Sequence, residues 1–476
     1  MSLSELESSD ILKTCTKTSE LIYAGRYEEA REALGDLWCG VGVRPNLDNY
    51  PPEIAAEVLL RCGSLSGFLG DAQAKDTQER AKDLLTEALR IFQALDLKTK
   101  VSEAQYELGV CYWRVGAFEE ARIVLNQALT GATPEQHGKI VIVRSLVEIF
   151  SGRHEEAQSI LIEFRPLFEN ASHALKGRWH GHMGLALRRM AQGRIEILDK
   201  AIIEYTAAIY HYEQAGHIRY CGSNQNNLAF LLYKLERYSE AHEHLDKAQR
   251  IFARLKDSGN IAQVKETRAR ILLAEERYLE ARRVIIEVVD ALERAGEQAL
   301  LTDALIIKAT VQARLGNAEE SLRTFRHAIR IGEESGALFS AGLAAVAMIA
   351  EHGEHLSERE LYLLYRRADR LLSATQDAES INRLRSCARI VIRKLFGPEL
   401  DENFTLPETI LKYEARFIEQ ALKEERGSVS RAARRLGLSH QTLGAMLNTR
   451  HRNLSGKRSP EIKRKRSIIP KGKQER

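Results

Sequence analysis

Leu108-Gly109-Val110-Cys111-Tyr112-Trp113-Arg114-Val115-Gly116-Ala117-Phe118-Glu119-Glu120-Ala121-Arg122-Ile123-Val124-Leu125-Asn126-Gln127-Ala128 is the stretch from which the fold can be read. It reads as two helices joined by a tight turn. Ala121, Leu125 and Ala128 are spaced by four and three residues, which puts them on one helical face. Gly116 suits the left-handed end of the first helix. Glu119 and Glu120 fall in the first turn of the second, where the helix dipole favours carboxylates.

The same pattern recurs along most of the chain. Ala81, Ala121, Ala157, Ala201, Ala241, Ala281, Ser321 and Leu361 follow one another at 36 to 44 residues, five of the seven steps being 40. Four residues after each stands a larger apolar side chain: Leu85, Leu125, Leu161, Tyr205, Leu245, Ile285, Phe325, Tyr365. Three further on come Ala88, Ala128, Phe164, Ala208, Ala248, Val288, Ala328 and Ala368. The small residue admits a neighbouring helix and the larger one fills the space beside it. Turns like the quoted one stand at Gly25-Arg26-Tyr27, Gly152-Arg153-His154 and Glu236-Arg237-Tyr238.

With Leu108, Gly109, Tyr112, Ala121, Leu125 and Ala128 at its spacing, the chain resembles the tetratricopeptide repeat over residues 12–372. The departure is a period near 40 rather than 34, which calls for longer helices or longer turns. The resemblance implies an all-α class: an α-solenoid of eight or nine stacked helix pairs, curved in a right-handed sense around a concave groove, because one pair cannot bury its apolar face alone. If the first helix of each pair faces inward, as in relatives of the repeat, Tyr106, Trp113, Arg178, Arg188, Asn226, Phe230 and Tyr233 are groove candidates. For the aromatic ones, packing between repeats is the competing role.

The expected organisation is a helix pair over 1–38, a Gly- and Pro-containing loop over 39–55, and an array over 56–396. The array ends in a capping helix at 377–396 (Ile381, Leu384, Ala388, Val391, Leu395), closed by Gly397-Pro398. A linker at 397–406, a small module at 407–454 and a basic tail at 455–476 follow.

The small module holds Val429-Ser430-Arg431-Ala432-Ala433-Arg434-Arg435-Leu436-Gly437-Leu438-Ser439-His440-Gln441-Thr442-Leu443-Gly444-Ala445-Met446-Leu447-Asn448. Ala432 and Ala433 are small where two helices cross. Gly437 can adopt the positive φ of a tight turn. Ser428 and Ser439 are placed to cap the two helices, and Pro407 to open a preceding support helix with Ile410, Leu411, Phe417, Ile418, Ala421 and Leu422. Leu443, Met446 and Leu447 form a buried stripe, leaving His440, Gln441 and Asn448 outward. This is the pattern of a helix-turn-helix.

From Leu411 through Ala421-Leu422, Gly427, Ala432-Ala433-Arg434-Arg435-Leu436-Gly437 and Ser439-x-Gln441-Thr442-Leu443, the module resembles the DNA-binding domain of Fis and the NtrC-type activators. The resemblance implies a homodimer on double-stranded DNA, formed through the leading helices. Two departures stand out. Gly444-Ala445-Met446 occupies positions where relatives carry aromatic and basic residues, and no Gly-x-x-x-x-Gly-Lys-[Ser/Thr] loop for an ATPase is present.

By reach, His440, Gln441 and Asn448 are the base-edge candidates. Arg434, Arg435, Ser439, Thr442, Arg450 and Arg452 are candidates for phosphate. Lys463, Arg464, Lys465 and Arg466 in the tail join them, along the backbone or in a minor groove. Charge agrees: 14 of the 70 Lys and Arg but only 2 of the 66 Asp and Glu fall in 428–476, net +12 there against −8 elsewhere.

The remaining features narrow the class. Six scattered cysteines without a Cys-x-x-Cys pair argue against a zinc site or a disulfide scaffold. His180 and His182 are two residues apart and cannot share a helix face, so no metal or other cofactor is expected there. Catalytic motifs are missing, and no enzyme is expected. No run approaches the roughly 20 apolar residues of a membrane span, and the acidic start is not that of a secretory signal, so a cytoplasmic location is expected. Two functions fit. One is a DNA-binding transcription regulator whose array takes a peptide, ligand or protein. The other is a non-catalytic interaction scaffold whose C-terminal helices and basic tail bind protein or RNA.

Overall fold

The computed structural model describes residues 3–41, 43–69, 75–191, 194–373, 375, 377–396 and 405–458. Helices carry the fold, and no strand occurs among the described residues. Two compact units are present, Met1–Val391 and Ile392–Arg476.

The first unit is a succession of helix pairs. They are α1 (Leu3–Tyr23) with α2 (Tyr27–Leu34), α3 (Pro52–Leu69) with α4 (Lys75–Ala94), α5 (Lys98–Arg114) with α6 (Phe118–Ala128), and α7 (Pro134–Phe150) with α8 (His154–Glu163). One extra turn, α9 (Pro166–Glu169), precedes α10 (His173–Met190) with α11 (Ile195–Gln214). The series continues as α12 (Ile218–Lys234) with α13 (Tyr238–Arg254), α14 (Ser258–Ala274) with α15 (Tyr278–Ala295), α16 (Gln298–Arg314) with α17 (Ala318–Glu334), and α18 (Leu338–His352) with α19 (Glu358–Leu371). The capping helix α20 (Ala378–Phe396) follows.

The long period has a simple cause. From α12 to α17 every helix spans 17 or 18 residues, whereas the connecting turns stay short, as at Leu235–Arg237 and Glu275–Arg277. The helices lengthened and the turns did not.

The periodic small residues are the core. Ala81, Ala121, Ala157, Ala201, Ala241, Ala281, Ser321 and Leu361 are all fully buried. So are Leu85, Leu125, Leu161, Tyr205, Leu245, Ile285 and Phe325, while Tyr365 is half-buried. Phe164 departs from the pattern because α8 ends at Glu163 and leaves it at the helix terminus. Gly109 shows why a small residue is needed: a Cβ there would sit 2.6 Å from Leu125 Cδ2, and at Gly63 the same atom would meet Leu85 at 2.8 Å. Close packing at native density leaves no room for either methyl.

Several boundaries differ from expectation. The 39–55 loop is shorter, since α3 begins at Pro52, where a missing N–H costs nothing. Trp38 folds that loop inward, buried, with its indole N–H donating to Val43 O at 3.0 Å. The first helix pair is not a separate appendage. Arg219 Nε on α12 donates to Gly25 O at 2.7 Å, the Tyr27 and Tyr220 hydroxyls lie 3.2 Å apart, and the Arg178 guanidinium covers the Tyr23 ring at 4.2 Å. The α1–α2 turn is thereby fastened to α10 and α12. Helix α20 rests on α18, with Cys387 Sγ donating to Val346 O, and its first turn reaches α12, where Glu379 pairs with Lys234 at 2.8 Å.

The second unit is a three-helix module: α21 (Leu406–Glu424), α22 (Val429–Arg435) and α23 (His440–Asn448), closed by a 3-10 turn over Arg452–Lys457. Ile418, Ala421, Leu422, Ala432, Ala433, Leu443, Leu447 and Leu454 form its core, with Leu436, Leu438 and Met446 packed against it.

Candidate nucleic-acid interface and repeat groove

The α22–α23 turn is built as its sequence requires. Gly437 has φ +69°, a left-handed conformation that avoids the Cβ cost. Ser439 caps α23, its Oγ accepting from Thr442 N at 3.0 Å. Ser428 occupies the cap position of α22, but its hydroxyl makes no capping bond there. Buried Leu443 and Leu447 anchor α23, so His440, Gln441, Thr442 and Asn448 are exposed on the opposite face. Free N–H groups and the positive dipole end project beside His440 and Gln441, a disposition suited to an anionic partner.

The phosphate candidates divide. Arg434 is exposed, and among the described residues it has no carboxylate within ion-pair reach. Arg435 is exposed but already paired with Glu424 at 2.5 Å and Glu425 at 3.2 Å. Arg450 pairs with Glu414 at 2.8 Å, and Arg452 Nε donates to Asn448 O at 2.8 Å. Asn448 Oδ1 also accepts from Arg458 Nη2 at 2.9 Å. Lys463, Arg464, Lys465 and Arg466 lie outside the described residues.

Sequence reasoning missed one core residue here. His451 is 2% exposed and its Nε2 lies 2.9 Å from Glu414 Oε2, so Glu414 joins the 3-10 turn to α21. No periodicity marks that contact. It also missed that Ile410 and Phe417 do not support the core. They are 44% and 56% exposed, seven residues apart on α21, and form an apolar strip on its outer face.

In the array, the first helices of successive pairs do line an interior. A cavity of about 250 Å³ is walled by α1, α3, α5, α7 and α10. Tyr106 and Arg178 face it, both groove candidates from sequence. Burial pushes the Tyr106 hydroxyl and the Glu107 carboxyl upward. Two residues of its wall, Arg61 and Glu103, belong to a buried charge network that the sequence reading did not anticipate: Arg61, 3% exposed, holds Glu57 at 3.2 Å and Glu103 at 2.6 Å, and Lys100 also pairs with both. The Glu57–Arg61 spacing of four was its only signal.

A second, larger groove of about 1560 Å³ runs along α10, α12, α14 and α18 to the head of α20. Arg188 and Phe230 face it, the guanidinium 5.2 Å from the ring centroid. The other candidates lie elsewhere. Trp113 packs edge-on against Phe150, Tyr233 sits beside Phe230 and Tyr238, and Asn226 is half-buried with an unpartnered buried Oδ1. The structure therefore splits the seven candidates between two cavities and packing positions.

His173 and His180 both pack against His211, with ring centroids 5.0 and 5.3 Å away, and His182 takes no part in that contact. His173 Nδ1 lies 2.8 Å from His211 Nδ1, His180 Nδ1 lies 2.7 Å from Glu204, and burial, with Arg178 nearby, pushes His182 down to about 3. Among the described residues no group of three His, Cys, Asp or Glu is arranged to hold a metal. No helix among them is long and apolar enough to cross a membrane.

Comparison with known proteins bears on both units. Residues 411–447 match the family described as "Bacterial regulatory protein, Fis family", and residues 102–130 match "Tetratricopeptide repeat". No curated protein matches the chain significantly. Among solved structures, a Rap protein complexed with Competence and Sporulation Factor is similar at 16% identity, TM-score 0.50, over 81% of this chain and 99% of that one. The apo form of the quorum sensor NprR from B. thuringiensis is similar at 17% identity, TM-score 0.50, over 67% and 87%. At these identities the likeness is one of fold. The chain joins a tetratricopeptide-type helical array to a C-terminal helix-turn-helix of the Fis type.

Proposed function

We propose that this protein is a DNA-binding transcription regulator whose helical array takes a peptide or protein partner. The observation that carries the reading is α23: a Ser439-capped helix, anchored by Leu443 and Leu447, whose other face presents His440 and Gln441 to solvent. In this reading α23 enters the major groove, Gln441 and His440 contact base edges, and Arg434 and Thr442 hold phosphate. Arg435 and Arg450 reach phosphate only by leaving Glu424, Glu425 and Glu414. Exposed pairs of this kind cost about 0–1 kcal/mol to break. The protein works in the cytoplasm, with the DNA.

The exposed strip of Ile410 and Phe417 supports a homodimer through α21, with two α23 helices reading a two-fold site. For the array, the Rap protein bound to Competence and Sporulation Factor and the quorum sensor NprR support a signal-receiving role. A gel shift on duplex DNA across a salt series tests the reading. Binding should weaken steeply as salt rises, as counterion release demands; absence of binding at low salt refutes it. Gln441→Ala should relax base discrimination by about 1–3 kcal/mol while leaving random-sequence binding in place.

A further inference from the structure

The larger groove has a charge pattern that none of the comparisons accounts for. Arg188 and Arg189 on α10 border it, with Lys234 on α12 and Arg270 on α14. Among the described residues neither Arg188 nor Arg189 has a carboxylate within 4 Å, whereas Arg270 already pairs through Nη2 with Glu266 and only its buried Nε lacks a hydrogen-bond partner. Phe230 stands between two of these cations, 5.2 Å from Arg188 and 5.8 Å from Lys234. Leu343 and Val346 of α18 supply an apolar wall.

Into this basic site the chain inserts its own acids. Glu379, in the first turn of α20, accepts from Lys234 Nζ at 2.8 and 3.0 Å across 145 residues of sequence. Asp377 caps the same helix, accepting from Ser380 N at 2.8 Å, and its charge also acts on Arg189. Arg383 follows on the same helix and borders the groove as well. The Lys234 and Glu379 side chains are 31% and 60% exposed, so water and salt screen the pair and it is readily broken.

We propose that this groove is the docking site of an acidic peptide segment, and that Asp377 and Glu379 at the head of α20 are its built-in competitor. The proposal rests on the reading of the array as a partner-binding arm and names the chemistry of the partner. The cavity exceeds the roughly 300–1,000 Å³ of small-molecule sites, which favours a peptide. Glu155, Glu156 and Glu236 also lie on the lining, so the cationic stretch is short, which suits a few carboxylates better than the continuous phosphate backbone of a nucleic acid. A peptide with two or more carboxylates around an apolar residue satisfies Arg188, Arg189 and Lys234 together and covers Phe230. It does so by displacing the head of α20, the last helix before residues 397–405 lead into α21. Because the resident acids occupy the site for part of the time, they lower the apparent affinity by the unoccupied fraction.

The test uses the full chain and a fluorescein-labelled hexapeptide of alternating glutamate and leucine, read by anisotropy. The wild type should bind it, more weakly as salt rises. Arg188→Glu with Arg189→Glu should lose about tenfold or more, and the milder Arg188→Gln with Arg189→Gln should lose less, with unchanged helical circular dichroism in both. Asp377→Asn with Glu379→Gln should bind about threefold or more tighter, since Asn still caps α20. Equal binding of the lysine–leucine hexapeptide, preference for a single-stranded oligonucleotide, or indifference to the arginine variants overturns the site. Unchanged affinity in the α20 variant overturns the competitor. If neutral or basic peptides bind and the acidic one does not, the partner-binding arm stands and this proposal falls. If no peptide binds at all, both fall, and the gel shift on the same protein still judges the DNA reading.

Discussion

The array and the C-terminal module bury the same kinds of side chain but distribute the risk differently. In the array the buried set repeats, so each helix pair is covered by its neighbours on both sides. In the module, one core of eight buried residues holds three helices. The difference teaches where a single substitution stays local and where it removes a function.

Leucine truncation breaks the comparison most sharply. Leu245 and Leu443 are both fully buried, so alanine at either should cost about 2–5 kcal/mol. In the module that loss is comparable to the whole stability of so small a unit. Leu443→Ala should abolish DNA binding and remove protection of α21–α23 in hydrogen exchange, while Leu245→Ala should leave DNA binding intact and loosen only neighbouring repeats. Equal global unfolding in both variants would show that the two units are not independent.

A smaller effect probes the array's packing from the other direction. Gly109→Ala forces a Cβ against Leu125, and overpacking of this kind costs about 1–3 kcal/mol. A lowered urea midpoint for the array is expected; an unchanged one would mean that Leu125 has room to move.

Acidity should separate the units next. Burial pushes His182 down to about 3, and His211 and His217 down to about 4, with neighbouring His180 and Arg178 adding to the last two respectively. Each lies below the ordinary 6.5 in the folded array. Below that value the unfolded chain takes up protons that the folded chain refuses. The array's stability is therefore full above about pH 6.5 and is lost as pH falls toward 4. Urea midpoints at pH 7 and pH 5 measure this, and His182→Gln should flatten the dependence. An array no less stable at pH 5 would contradict the burial of these rings.

The smallest expected change is a gain. Gly444 lies inside α23, and a Cβ there would meet nothing within 4 Å. Gly444→Ala should stabilise the module by up to about 1 kcal/mol, seen as a raised melting temperature of its transition. If DNA binding falls at the same time, the glycine is there for close approach to the duplex.

Much of this was legible beforehand. Ala121, Leu125 and Ala128 announced a packed helix face because the α-helical period converts spacing into direction. Gly437 and Ser439 announced the α22–α23 turn because few residues tolerate a positive φ or cap a helix. The exposed set His440, Gln441 and Asn448 followed by subtraction from the buried stripe. Less visible were the partners of Arg435 and Arg450, which depend on carboxylates 10 and 36 residues away. The outward turn of Ile410 and Phe417 was hidden too, since a helix with apolar residues on two faces does not say which face is covered.

The sequence by itself determined the helices, their period, the residues at their crossings and the nature of the terminal module. These follow from local rules: backbone geometry, capping and the small volume that a close approach permits. Only the tertiary structure decided that the α1–α2 turn is fastened to α12, that the groove candidates divide between two cavities, and that the head of α20 sits among the groove's cations. Those outcomes depend on how a small rotation per repeat accumulates over 145 to 194 residues. No spacing rule within a single repeat carries that sum.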